Sequence, residues 1–140
     1  MLFTTEKNKA IVCRFNKEVI EEGNLESFHE LVSPDAINHA APEGMSNGPE
    51  SMQHFLFHVL RVGFTDIKAE ILDQIAEGDR VTTRKMLHGT HTGTFMGIPP
   101  SNKNVAIKVI DIIRLHEGRY VEYWGISNIP EVMRELSDPR

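Results

Sequence analysis

The sequence predicts an α+β domain in which N-terminal helices pack on the concave face of a curved antiparallel sheet. Apolar residues recur at helical spacing as far as residue 63, and beyond it the period drops to two, with turn signals between the runs. The length agrees: 140 residues with 40% hydrophobic content suit one core and not two, so residues 1–140 are read as a single domain.

The elements follow in order. Thr5 is placed to cap a helix in which Ile11, Phe15 and Val19 recur every four residues, with Val12 and Ile20 widening the stripe until Gly23 stops it. Asn24 caps a shorter helix over 25–32, with Leu25, Phe28 and Leu31 on one face, and Ser33-Pro34 ends it. Pro49 sits in the first turn of a third helix that buries Met52, Phe55, Leu56, Val59 and Leu60 and stops at Gly63. Next, Ile67, Ala69 and Ile71 alternate with Asp66, Lys68 and Glu70, the pattern of a strand with one wet face. Glu77-Gly78-Asp79 turns the chain into a strand over 81–90, a Pro/Gly-rich connection spans 93–104, and Glu117-Gly118 closes a hairpin between 105–116 and 119–128. These turns predict an antiparallel meander. Pro130 starts a last helix through Val132, Met133 and Leu136, followed by a frayed tail; no repeat, low-complexity tract or linker interrupts the chain.

Composition excludes several functions. A net charge of -5 without a run of basic residues offers no footprint for nucleic acid or an anionic membrane. The one cysteine, Cys13, cannot form an internal disulfide, and no stretch approaches about 18 uninterrupted apolar residues, so a cytoplasmic protein is expected. No Gly-rich loop follows a strand and no serine stands in a nucleophile elbow, which removes support for nucleotide and acyl-enzyme chemistry. His54 and His58 share a helical face but lack a third ligand, and His88 and His91 fall on opposite faces of a strand; neither a metal nor a cofactor is expected.

Parity along the strands selects the candidates for chemistry. Arg84, Met86 and His88 share one face of their strand, and Lys85 and Leu87 take the other; Val109, Asp111 and Ile113 share a face of theirs. Asp111 has only apolar residues on both sides, so it is expected to point into a pocket, where a carboxylate short of water becomes a better proton acceptor. Arg84 or a neutral His88 would donate to the oxygen of a substrate carbonyl, although Arg84 suits a surface ion pair equally well. Phe15, Met86, His58 and Trp124 are expected as substrate-binding wall residues, with Phe55, Phe57, Phe64 and Tyr123 divided between wall and core.

Two stretches resemble SnoaL-like polyketide cyclases of the nuclear-transport-factor-like superfamily. One is His88-Gly89-Thr90-His91-Thr92-Gly93-Thr94-Phe95-Met96-Gly97-Ile98-Pro99-Pro100; the other runs from Ile110 to Trp124 and is similar to that family's last hairpin. The resemblance covers nearly the whole chain. It implies a cone-like half barrel whose open end is a pocket, polar pocket residues after the second helix at Asn38 and His39, and pairing through the open sheet as a homodimer. It also implies intramolecular aldol cyclisation with an aspartate as acid and base, without metal or cofactor. Aligned through Arg114 and Gly118, the family's histidine falls on Asp111 and its acid–base aspartate on Gly125. The expectation is therefore an enzyme in which Asp111 carries proton transfer on a small, largely apolar carbonyl compound. A binding pocket that only orients a ligand and a dimeric interaction domain are the alternatives.

Overall fold

The structure, a computed structural model, describes residues 4–139 and holds four helices and a five-stranded mixed sheet. Helix α1 spans Thr5–Phe15 and continues as a π-helical segment, Asn16–Glu21. Helix α2 is Leu25–Leu31; α3 is Pro49–Gln53, continued by π-helical His54–Leu60 and a last turn, Arg61–Gly63; α4 is Ile129–Ser137. The strands are β1 Val32–Asn38, β2 Lys68–Glu77, β3 Arg80–Thr90, β4 Asn104–His116 and β5 Arg119–Ser127, in the order β1-β5-β4-β3-β2. No helix among the described residues is long and apolar enough to cross a membrane.

Most boundaries follow local chemistry. Asn24 caps α2, its side chain accepting from the Ser27 amide at 3.1 Å, and Pro49 opens α3. The cap of α1 is Thr4 rather than Thr5: the Thr4 hydroxyl accepts from the Lys7 amide at 3.2 Å, and Thr5 is the first helical residue. Glu117 and Gly118, at φ of 50° and 80°, make the tight turn between β4 and β5 whose twist matches the flanking strands.

Two features depart from the sequence-based reading. The segment after α2 is a strand, β1, which pairs parallel to β5 with an irregular register between Val32 and Ile37, so the sheet is mixed and not wholly antiparallel. Pro34 has no amide proton to donate, and an edge strand with a broken register tolerates it. The helices α1 and α3 each carry a π-helical stretch, where the backbone slips to a wider turn.

The core lies between the helices and one face of the sheet. On β3 the buried residues are Val81, Thr83, Lys85 and Leu87, and on β4 they are the odd positions from Val105 to Leu115. Val12, Phe15 and Val19 from α1, Phe28 and Leu31 from α2, and Met52 and Leu60 from α3 close over them. Arg61 ties the two π segments together by donating to the carbonyls of Ile20 at 2.8 Å and Glu21 at 2.7 Å. The connection after β3 is anchored by His91, which is fully buried: Nδ1 accepts from the Ser101 amide at 3.1 Å, leaving Nε2 as the donor to the Ile98 carbonyl at 3.2 Å.

Candidate active site

Between the helices and the concave face of the sheet lies a cavity of about 320 Å³. Its walls are mainly apolar, with Phe15, Met52, Phe55, Leu56, Leu87 and Ile107 among them; Asn38, Ser51, Lys85, Asp111, Tyr120 and Tyr123 supply polar groups.

Asp111 stands in the middle of β4 and is 1% exposed. Its Oδ2 lies 3.2 Å from the Lys85 ammonium and receives a long hydrogen bond, 3.5 Å, from the Tyr123 hydroxyl; its Oδ1 has no hydrogen-bond partner. Lys85 Nζ also donates to Asn16 Oδ1 at 2.7 Å, and Asn16 Nδ2 donates to the Val12 carbonyl at 2.9 Å. Asn16 opens the π-helical segment of α1, so the helix itself braces the charged pair. A buried ion pair survives when further hydrogen bonds satisfy its members, and here Asn16 and Tyr123 do so from opposite ends.

The register across the sheet explains Tyr123. Asp111 pairs with Gly125 on β5, and Tyr123 lies two residues before it on the same face. A Cβ added to Gly125 would lie 2.5 Å from the Tyr123 hydroxyl and 2.8 Å from its ring. The phenol therefore occupies the space a side chain at position 125 would need, and it reaches Asp111 only because residue 125 is glycine. Burial pushes the Tyr123 phenol well above its ordinary range, with the Asp111 charge and its hydrogen bond adding to the effect. Tyr123 stays protonated and acts as a donor. Burial, with Asp111, does the same to Tyr120, a residue of the cavity wall whose buried hydroxyl has no hydrogen-bond partner.

Of the residues singled out from sequence, Asp111, Phe15 and Asn38 line this cavity, as do Phe55 and Tyr123, which the sequence leaves divided between wall and core. Asn38 donates to the Ser51 hydroxyl at 3.0 Å and accepts from the Ala40 amide at 3.0 Å, which bends the chain after β1. The structure does not bring Arg84 or His88 to Asp111. Both lie on the convex face, Arg84 donating to Asp73 at 3.1 Å and His88 Nε2 standing 2.9 Å from Glu70. Met86 joins them there, in a shallow groove with Leu72, Ile110 and Ile126. His39 is stacked flat on Trp124 with ring centres 4.7 Å apart and its Nε2 lies 2.9 Å from Glu122; Arg80 lies over the Trp124 ring at 5.6 Å. His58 is exposed on α3, beside His54. Among the described residues no three His, Cys, Asp or Glu side chains converge as metal ligands.

Sequence reasoning misses Lys85, Asn16 and Tyr120, and it offers Tyr123 only as wall or core, not as a hydrogen-bond donor. Strand parity held the signal for Lys85, which shares its face with Val81, Thr83 and Leu87 and is the one buried lysine among the described residues. Asn16 carried no comparable signal, because its role depends on α1 packing across β3.

Residues 10–136 match the model of the SnoaL-like polyketide cyclases. The chain belongs to this family. A curated relative is the nogalonic acid methyl ester cyclase of Streptomyces nogalater, 23% identical over 118 residues, which are 84% of this chain and 88% of the relative. Among solved structures, a proposed SnoaL-like polyketide cyclase from Jannaschia sp. CCS1 superposes with a TM-score of 0.83 at 26% identity, covering 97% of this chain and 95% of that one. IdmH of Streptomyces antibioticus, a proposed polyketide cyclase, superposes with a TM-score of 0.80 at 28% identity, covering 94% and 99%. AclR of Streptomyces galilaeus, a proposed hydroxylase, has a TM-score of 0.82 at 25% identity, covering 95% and 97%. At Gly125 of this member the tyrosine hydroxyl of Tyr123 fills the space next to the backbone.

Proposed function

We propose that this SnoaL-like domain catalyses proton transfer, without a cofactor, on a small and largely apolar carbonyl compound, leading to aldol cyclisation or isomerisation. One observation carries the reading: the Asp111 carboxylate is buried at the cavity wall with one oxygen bound by donors and the other unpartnered. The partnered oxygen holds the carboxylate in place, and Oδ1 is the proton acceptor. It removes a proton from the carbon beside the substrate carbonyl, and the Lys85 ammonium or the Tyr123 phenol donates to the enolate oxygen as charge develops there. Once the carbon–carbon bond has formed, Asp111 returns its proton to the new alkoxide. The apolar walls suit a flat hydrophobic substrate and keep water away from the enolate. A relative named as a cyclase of a methyl ester supports the same substrate class.

The test is turnover of aromatic ketones and polyketide-like esters by Asp111→Asn, in samples shown by circular dichroism to be folded. Loss of at least a hundredfold is expected, the usual scale for a general base. Full activity would end the acid–base assignment, and thermal stabilisation by the same compounds without turnover by the parent protein would favour a binding module instead.

We also infer that the protein pairs with a second copy through the convex face of the sheet. Ile110 and Ile126 are cross-strand partners there, 44% and 74% exposed, and line a shallow groove with Leu72 and Met86, an apolar surface that a second copy would cover.

A further inference from the structure

The geometry points to Lys85 as a nucleophile that binds the substrate covalently, as an iminium ion, in the cavity where Asp111 moves the proton. The inference rests on the reading of Asp111 as the proton-transfer group and extends it to the reacting carbonyl of the substrate: an aldehyde or unhindered ketone group, whatever ester the molecule carries elsewhere.

Three features single out this amine. Lys85 is 5% exposed and contributes to the cavity wall, whereas the other lysines of the described residues are exposed or half-buried and none lines the cavity. Its nitrogen is held at 2.7 Å by Asn16 and at 3.2 Å by Asp111, which fixes it relative to the cavity instead of leaving it on a mobile stem. Finally, Asp111 and Tyr123 stand beside it, so a group that accepts a proton and one that donates are within reach.

The chemistry balances without an outside reagent. Asp111 takes a proton from the Lys85 ammonium, and the freed nitrogen pair attacks the carbonyl carbon while the oxygen takes that proton back. A second proton passes from nitrogen through Asp111 to the resulting hydroxyl, which leaves as water. The carbon–nitrogen double bond then carries the positive charge that the ammonium held. An iminium acidifies the neighbouring carbon far more than a hydrogen-bonded carbonyl does. Asp111, again a carboxylate, removes a proton from that carbon to give an enamine. Attack of the enamine on a second carbonyl of the same molecule forms the ring, and water releases product and restores the ammonium.

The experiment uses the full chain with two defined probes. Acetylacetone should condense with Lys85 to a stable enaminone, read as a new near-ultraviolet band and as a mass gain of the probe less one water. Benzylacetone with sodium cyanoborohydride should give a reduced adduct, heavier by the probe less one oxygen atom, which peptide mapping places on Lys85. Labelling at Lys85 is expected to exceed that of each surface lysine at least tenfold. The variant Lys85→Arg keeps a cation beside Asp111 and should fold yet form neither adduct. Labelling that is spread evenly over the surface lysines, or absent from Lys85 with both probes, overturns the proposal. If Lys85→Arg keeps full turnover while Asp111→Asn loses it, the covalent step fails and the proton-transfer reading stands. If Asp111→Asn keeps full turnover, that reading falls first.

Discussion

The substitution that tests the site's architecture most directly is Gly125→Ala. The new methyl carbon would lie 2.5 Å from the Tyr123 hydroxyl, 2.8 Å from Cε1 and 2.9 Å from Cζ. A comfortable contact needs about 3.5 Å. The phenol must therefore retreat by about 1 Å, and its hydrogen bond to Asp111, already 3.5 Å long, cannot survive a retreat of that size. Overpacking of this kind costs about 1–3 kcal/mol, and the lost hydrogen bond lies at the low end of its usual range because it is long. For a domain of this length the melting temperature should fall by roughly 4–12 °C. Adding Tyr123→Phe removes the worst clash but not the ring contacts, so the double variant should recover part of the loss. Urea unfolding of the parent, both single variants and the double variant measures this coupling. A Gly125→Ala protein as stable as the parent, or a double variant whose loss equals the sum of the singles, would refute the claim that Tyr123 occupies the space over Gly125.

The remaining predictions concern charge and assembly. Lys85→Met should cost about 3–5 kcal/mol because it leaves Asp111 buried without its counter-charge, and Lys85→Met with Asp111→Leu should recover most of that loss; denaturant midpoints decide. Glu122 is held below the ordinary carboxylate range by its hydrogen bonds from His39 and Arg114. Its contribution is present above the range of the unfolded side chain and is lost as pH falls through the lower folded value, so Glu122→Gln should flatten the acid limb of the stability profile and leave the neutral region's slope unchanged. Ile110→Lys, at a position that lines the convex groove and not the cavity, places a charge on that face and should shift the proposed dimer to monomer in sedimentation equilibrium.

Several parts of the site could be read without coordinates. The alternation through Val109, Asp111 and Ile113 gathered those residues on one face, and the structure buries all three. The turn at Glu117-Gly118 pairs His116 with Arg119 and Leu115 with Tyr120, but it is an irregularity between Arg114 and Leu115, which no sequence signal marked, that shifts the register by one residue and puts Gly125 opposite Asp111. β1 escaped because a parallel strand takes its hydrogen bonds from β5 at the far end of the chain and, with Pro34 and a broken register, shows no clean local period. Lys85 escaped because a lysine between two strand positions looks like a solvated charge until α1 brings Asn16 across to meet it. Arg84 and His88 drew attention through their chemistry, but their face of β3 is the one without helices, where Asp73 and Glu70 occupy them.

By itself the sequence determined which residues travel together: helix first, strands after, tight turns between, and on each strand two sets of side chains of opposite parity. A period of two says which residues share a face, but it does not say which face the helices will cover. That choice belongs to the tertiary structure. It was decided by the apolar stripe of α1 and α3 packing over Val81, Lys85 and Leu87, and the same packing turned a lysine, an aspartate, an asparagine and a tyrosine from four separate elements into one connected group.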